Sequence, residues 1–147
     1  MAAFTREIEI SKPIEEVFQY ITDVSKASKI MRNVIESNWI TAGPVMVGAK
    51  FKEVREIRGK KAESIIEVIA YEPNKRYSVK SEMKGLELIY HYYFTESKIG
   101  TIVQFICDVE VYTFMMKLTK PMFIKILQKE DGNHLENLKR EMEKVSV

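Results

Sequence analysis

Two residues near the end of the chain, Asp131 and His134, have side chains suited to acid–base chemistry. At 100° per residue they fall on one helical stripe with apolar side chains, namely Leu127, Leu138, Met142 and Val145. The pattern therefore predicts that both are buried. They could form a polar spot at a cavity, or they could satisfy each other or the nearby backbone. Gly132 between them favours a bend or a close approach of another segment.

A second pair of charged residues lies two positions apart in an alternating segment. Glu53 and Arg55 share a face with Phe51, and this face is less polar than the opposite one. If the face points inward, the two charges form an ion pair at a cavity wall, where a lone charge would be costly. The alternative is an exposed pair at the rim, with both charged ends in water.

Tyrosines dominate the predicted inner face of the sheet. The clearest strand alternates Val103, Phe105 and Cys107 with more polar neighbours, which identifies its inward side. The same test on the preceding strands gives an aromatic wall that includes Tyr77, Val79, Tyr90, Tyr92 and Phe94. These side chains could fill a solid core. Because several buried phenols each need a hydrogen-bond partner, a cavity holding a ligand or water is the favoured interpretation.

Flexible side chains cluster where the strands give way to the last helix. Met115, Met116, Met122 and Phe123 surround Pro121 and could form an adaptable entrance or simply pack the helix start. The predicted ligand-binding set is Phe51, Arg55, Tyr77, Val79, Tyr90, Tyr92, Phe94, Phe105, Met122, Phe123, Leu127, Asp131 and His134. The sequence identifies no residue as catalytic.

Strands and helices must hold these residues in place. A first strand is predicted at 3 to 10, followed by a helix with Ser11 as its capping hydroxyl and Pro13 early in its first turn. Asp23 is predicted to cap a short second helix. Turn signals then separate six further strands, at about 34 to 40, 49 to 58, 61 to 71, 76 to 84, 86 to 95 and 100 to 112. After Pro121 one long helix, residues 122 to 142, carries the final apolar stripe.

These elements predict a single α+β domain over residues 1–147, with seven strands in an antiparallel meander. The hydrophobic content of 46% is enough for a sizeable core. One face of the sheet must be covered, and the long helix is the element able to cover it.

Charge and cysteine content narrow the classes of partner. The 23 Lys and Arg balance 21 Asp and Glu without a block of like charge, so nucleic acid is not an expected partner. No run approaches the ~20 apolar residues of a membrane span, and the N-terminal segment lacks a signal peptide's apolar stretch. Cys107 alone allows no internal disulfide and favours the cytoplasm. We expect Cys107 to be a buried apolar residue, and we expect neither a metal nor a cofactor, since His91 faces outward.

Short motifs in a fixed order resemble a known family. They are Pro13 to Phe18 after the first strand, Gly43-Pro44-Val45 with Gly48, Glu67-Val68 with Tyr71-Glu72-Pro73, Gly100-Thr101, and Leu138-Lys139. In this order the chain resembles the START-like (SRPBCC) superfamily, in particular its polyketide cyclase/dehydrase branch, and is similar to coenzyme Q-binding proteins. The resemblance implies the helix-grip fold: a curved seven-stranded sheet wrapped around a long C-terminal helix, with two short helices between strands 1 and 2. It also implies a cavity for an apolar ligand.

Three functions remain open at this point. The leading one is a binding or carrier protein for a lipid, a quinone or a polyketide-like molecule held between sheet and helix. The second is a cyclase or dehydratase in which His134 or Asp131 moves protons while Tyr90 or Tyr92 polarises an oxygen. The third is a protein-interaction module that resembles the co-chaperone and ribosome-associated relatives of this superfamily, and an outward row of Ile89, His91 and Tyr93 favours it. The same row could be a homodimer contact.

Overall fold

Alternating apolar and polar residues form seven strands in a computed structural model that describes residues 2–57, 59–83 and 85–144. The strands are β1 (Ala2–Ile10), β2 (Val34–Trp39), β3 (Lys50–Ile57), β4 (Lys60–Glu72), β5 (Arg76–Met83), β6 (Leu86–Glu96) and β7 (Thr101–Val111). They form one antiparallel sheet in the order β1-β7-β6-β5-β4-β3-β2. The predicted meander is therefore confirmed. The predicted strand ends at residues 58 and 84 and the stripe residue Val145 lie outside the described residues.

Two short helices connect β1 to β2, as predicted. Helix α1 (Ile14–Thr22) begins after Pro13, and a 3₁₀ turn leads into α2 (Ala27–Ile30). The Asp23 carboxylate accepts a hydrogen bond from the backbone N–H of Ser25, which confirms its capping role. The capping role given to Ser11 is wrong, because the residue preceding α1 is Pro13 and no side chain caps this helix.

The long C-terminal helix is present, but its predicted start is wrong. It begins at Phe114, where the Thr113 side chain accepts a hydrogen bond from the N–H of Met116. Pro121 lies inside this helix, α3 (Phe114–Asp131), on its exposed side. There the carbonyl that loses its helical partner can be hydrated. A break at Gly132 and Asn133 separates α3 from α4 (His134–Met142), which packs against β1 and α2.

The inner face of the sheet forms the core together with these helices. In β7 the inward set Val103, Phe105, Cys107 and Val109 is buried, as the alternation predicts. Gly100 in the β6–β7 turn allows a close approach, since a Cβ there would lie 2.2 Å from the carbonyl oxygen of Ile10. The turn therefore packs directly against the end of β1, and the α+β helix-grip architecture is confirmed.

Candidate functional site

A cavity of about 280 Å³ lies between the inner face of the sheet and α3, with α1 and α2 closing one side. Most of its wall is apolar: Ile21, Val24, Ala27, Ile30, Met31, Phe51, Ile66, Val79, Met83, Leu88, Phe123, Ile126 and Leu127. Polar atoms form a small part of the cavity surface, and several of them belong to one cluster around Arg55. Such a wall, with a small number of placed polar groups, is typical of a site for a small apolar molecule.

Arg55 is the centre of the main polar cluster. Its Nε donates to Glu53 Oε1 at 2.6 Å, and its Nη1 donates to Asp131 Oδ1 at 2.8 Å. Glu53 is only 7% exposed and Asp131 only 1%. Burial by itself would lower the pKa of Arg55, but the carboxylates of Asp131 and Glu53 hold that pKa well above its ordinary value. Arg55 is therefore a permanent cation that joins β3 to the end of α3.

Tyr90 completes the contacts of Asp131. Its hydroxyl donates to Asp131 Oδ2, so both carboxylate oxygens have donors from the protein. Burial, followed by the charge of Asp131, raises the pKa of Tyr90 well above its ordinary value. Tyr90 therefore stays a neutral phenol and acts here as a donor.

His134 is buried close to this cluster, and both of its ring nitrogens form hydrogen bonds within the protein. Its Nδ1 lies 2.6 Å from the backbone carbonyl of Asp131, which can only accept, so Nδ1 carries the proton. The other nitrogen, Nε2, then accepts a hydrogen bond from the Tyr92 hydroxyl at 2.9 Å. Burial lowers the pKa of His134, which favours the neutral ring. The ring packs on Phe105 at 4.6 Å between centroids.

Two hydroxyls in the cavity wall have no hydrogen-bond partner among the residues that the structure describes. They belong to Tyr77 and Tyr20. Tyr77 is 3% exposed, and burial raises its pKa well above the ordinary value. A buried hydroxyl without a partner is costly, so a polar atom inside the cavity would stabilise it.

The chain matches a known protein family over nearly its whole length. The family model described as "Polyketide cyclase / dehydrase and lipid transport" matches residues 1–143. The chain belongs to this family. No curated protein matches it.

Solved structures similar to this member of the polyketide cyclase/dehydrase family show the same fold at low identity. The protein MLL2253 from Mesorhizobium loti is 15% identical, with a TM-score of 0.72 and 98% of each chain covered. The di-domain ARO/CYC BexL from the BE-7585A biosynthetic pathway is 15% identical with a TM-score of 0.76, over 97% of this chain and 50% of that one. Ara h 8.0201 is 13% identical with a TM-score of 0.73, over 94% and 95%.

The structure brings most of the predicted site residues together around the cavity of this family member. Those that line it are Phe51, Arg55, Tyr77, Val79, Tyr90, Tyr92, Phe123, Leu127 and Asp131. Glu53 and Arg55 point inward, so their alternative placement as an exposed rim pair is wrong. The two interpretations of the Asp131 and His134 pair each hold for one of the residues. Asp131 lines the cavity. His134 instead forms hydrogen bonds with the backbone and with Tyr92.

Four predicted residues do not line the cavity. Phe94 packs against Phe18 of α1 at 5.0 Å between ring centroids and is not part of the cavity wall. Phe105 and His134 lie behind Tyr92. Met122 is 61% exposed, because α3 turns it away from the sheet.

Sequence reasoning missed the part of the wall that α1 and α2 supply, from Tyr20 to Met31, together with Ile126 and Glu130 of α3. The apolar stripe of the two short helices shows that they pack on something. It does not show that they pack across the cavity. Ile126 could have been found from the sequence, because residues three and four apart share a helix face, and Phe123 and Leu127 were already predicted to line the cavity.

Other predicted properties concern residues outside the cavity. Cys107 is fully buried, and burial raises its pKa to about 12, so it is an unreactive apolar residue as expected. The described residues contain no group of three His, Cys, Asp or Glu placed to hold a metal ion. None of the helices in the described ranges is long and apolar enough to cross a membrane.

Proposed function

We propose that this chain binds a small, predominantly apolar molecule in the cavity between the sheet and α3. The observation that carries the proposal is the apolar cavity of about 280 Å³, whose wall includes Tyr77, with a buried hydroxyl that has no hydrogen-bond partner among the described residues. Burial of apolar ligand surface would supply the affinity, at roughly 25 cal/mol per Å² removed from water. The polar groups would orient the ligand.

The volume limits what can bind. It lies just below the ~300–1,000 Å³ typical of ligand pockets, which favours a compact ring system or a short chain over a long diacyl lipid. Aromatic side chains at the wall, among them Tyr77, Tyr90, Tyr92 and Phe123, suit a flat or conjugated molecule. The family description, which includes lipid transport, is compatible with such a carrier role.

A cyclase or dehydratase activity has less support from the geometry. The proposed acid–base residue His134 has both ring nitrogens hydrogen-bonded and is not part of the cavity wall. Asp131 reaches the wall, but Arg55 and Tyr90 already donate to its two oxygens. Neither side chain is therefore placed to take a proton from a ligand, which general acid–base catalysis requires.

A protein-interaction role through the outer sheet face also has little support. The row of Ile89, His91 and Tyr93 is only half-buried, but its polar members are already engaged. His91 hydrogen-bonds Ser78 at 2.7 Å and Asp108 at 3.1 Å, and Arg76 stacks over Tyr93. A homodimer through this row stays a prediction.

A fluorescent apolar probe tests the binding function directly. Titration with 1-aminoanthracene, which is uncharged near neutral pH, should give saturable binding at one site with a blue-shifted emission. Val79→Trp should reduce this affinity at least about tenfold, because the larger side chain occupies the cavity while avoiding part of the usual overpacking penalty.

The matched control is Ile89→Trp, on the outer face of the neighbouring strand. It should bind the probe as the wild type does. Equal binding by the Val79→Trp variant, with the fold intact by circular dichroism, would contradict a ligand site in this cavity. If the probe results support the site, native mass spectrometry of the protein from its own host would identify the molecule that it carries.

A further inference from the structure

Negative charge exceeds positive charge at the cavity wall. The described lining residues include four carboxylates, those of Asp23, Glu53, Glu130 and Asp131, and one cation, Arg55. Asp23 is partly exposed and lies 4.0 Å from Lys26, so the imbalance concerns chiefly the buried carboxylates. Glu53 and Asp131 are almost fully buried and both bind the same guanidinium. One positive charge cannot neutralise two carboxylates, and a buried unbalanced charge is costly.

The hydrogen bonds around Arg55 mostly join side chains of the same cluster. Two of the Arg55 nitrogens donate to the carboxylates and Nη2 faces the sulfur of Met31 at 3.5 Å, while the Tyr90 hydroxyl donates to Asp131. Three of the five Arg55 N–H groups and the Tyr90 hydroxyl therefore have acceptors within the protein, whereas the second N–H on each Nη atom has none among the described residues. Glu53 Oε2, in contrast, accepts no hydrogen bond from the described residues. The cluster thus has a carboxylate oxygen open to a ligand donor and an excess of negative charge.

We propose that the cavity selects ligands whose polar end is a cation or a hydrogen-bond donor, an amine above all, and rejects carboxylates. A ligand ammonium beside Glu53 would balance the excess charge and fill the free acceptor. A ligand carboxylate would meet like charge in a medium of low dielectric constant. This inference rests on the proposed function, because it concerns the same cavity.

Isothermal titration calorimetry with three matched compounds tests the selectivity: naphthylmethylamine, naphthylmethanol and naphthoate. The amine should bind at least about tenfold more tightly than naphthoate, with the alcohol between them. Glu53→Gln keeps the shape of the side chain and removes one charge, so it should reduce the ratio of amine to naphthoate affinity severalfold. Glu130→Gln offers a second removal of charge from the wall, at a residue that is not bound to Arg55.

Glu63→Gln is the matched control, since Glu63 is 67% exposed and lies on β4, outside the cavity wall. It should leave the ratio unchanged. Equal affinity for amine and naphthoate, or tighter binding of naphthoate, would overturn the selectivity while leaving the binding function intact. Failure of all three compounds to bind would overturn the binding function and this inference together.

A separate surface lies on the outer side of α3. Phe114, Leu118, Met122 and Ile126 are spaced four residues apart, and with Met115 they are between 42% and 73% exposed. Residues at this spacing follow one side of a helix. Exposed apolar residues in a contiguous row indicate an interaction surface, unlike apolar residues scattered singly.

The same helix is basic. Residues 114–129 contain four lysines, Lys117, Lys120, Lys125 and Lys129, and no Asp or Glu. The balanced charge of the whole chain conceals this local excess, which the sequence analysis did not identify. At 100° per residue, Lys125 and Lys129 lie on the side of α3 that carries the apolar row, Lys117 lies next to it, and Lys120 lies on the opposite side. A second copy of the chain would bring these like charges together, so self-association through this face is electrostatically unfavourable.

We infer that this outer face of α3 docks on an anionic lipid surface. An apolar row with lysines beside it suits the interface of such a bilayer, where the apolar side chains enter the headgroup boundary and the lysines are attracted to the anionic headgroups. Docking here would bring the cavity to the membrane, because Ile126 belongs both to the exposed row and to the cavity wall.

Vesicle sedimentation tests the docking. The protein should bind vesicles of phosphatidylcholine with about a third phosphatidylglycerol, bind pure phosphatidylcholine at least about fivefold less, and be released by high salt. Leu118→Ser with Met122→Ser should abolish binding, and Lys125→Gln with Lys129→Gln should weaken it at least about threefold. Lys98→Gln, in the exposed β6–β7 turn, is the control and should bind normally.

Absence of binding to the anionic vesicles would overturn this inference. So would a dimer in light scattering that the Leu118→Ser and Met122→Ser changes convert to monomer, since the face would then be an interface between copies. The cavity ligand is not involved in either measurement, so the two inferences fail independently.

Discussion

Arg55 holds together the most highly charged group of side chains in the described core. Its replacement by Met should lower the free energy of unfolding by about 3–5 kcal/mol, because the carboxylates of Glu53 and Asp131 would remain buried without a counter-charge. Urea denaturation measures the change. Lys52→Met, on the opposite face of β3, should stay within about 0.5 kcal/mol of the wild type. A loss of under 1 kcal/mol in Arg55→Met would show that the carboxylates are hydrated or protonated.

His134 gives the stability a dependence on pH with a defined sign. Burial lowers its pKa below the ordinary value of about 6.5, so the unfolded chain binds the proton more readily than the folded chain. The stabilisation by the neutral ring is complete above pH ~6.5 and is lost as the pH falls below that value toward the folded-state pKa. Unfolding curves measured from neutral pH downward should show this decline.

His134→Gln should remove that part of the decline, while the contributions of carboxylates at lower pH persist in both proteins. Identical pH profiles for wild type and variant would mean that the buried ring already takes up a proton in the folded state.

At this scale, the sequence allowed the orientation of side chains to be predicted but not their depth. The two-residue period correctly turned Tyr77, Tyr92, Phe94 and Phe105 inward. It could not separate Tyr77 and Tyr92, which line the cavity, from Phe94 and Phe105, which do not, since all four point to the same face of the sheet. Whether an inward side chain reaches the cavity depends on where α1 and α4 pack against the sheet. The alternation within a strand does not contain that information.

The break between α3 and α4 is the element that places the polar residues. Gly132→Ala should destabilise the protein, although Ala normally favours a helix over Gly by about 1 kcal/mol. The reason is steric: a Cβ at this position would lie 2.1 Å from the carbonyl oxygen of Gln128. We expect a loss of at least about 1 kcal/mol in thermal or urea unfolding.

Thr119→Ala, at an exposed position of α3, provides the matched comparison and should leave stability unchanged or slightly raised. If Gly132→Ala behaves in the same way, the close contact at the break relaxes without cost.

The strands were more predictable than the helices for a physical reason. Alternation and turn residues are local signals, so the strand order and approximate limits follow from the sequence alone. The sequence pattern places the start of α3 about eight residues late, because a proline normally marks a helix boundary. Proline is tolerated there because its side of the helix faces water, and Thr113 was the usable cap signal.

The architecture of the whole molecule was predictable because nearly every strand pairs with its neighbour in the chain. The exception, β1, pairs with β7, and α1 and α2 connect it to β2 at the opposite edge of the sheet. The placement of α1 and α2 across the cavity depends on tertiary packing. For that reason most of the wall formed by the sheet and α3 was predicted, and the part formed by α1 and α2 was not.

The strand order also determines how fast different parts of the protein assemble. β2 to β7 form successive hairpins, whereas the contact of Thr101 with Lys12 closes 89 positions of chain, at an entropic cost that only late native contacts repay. Stopped-flow refolding should therefore give Φ-values near zero for Ile10→Val in β1 and clearly larger ones for Val109→Ala in β7. Until β1 arrives, β7 presents an unpaired edge, so refolding at high concentration should favour intermolecular strand pairing at that edge.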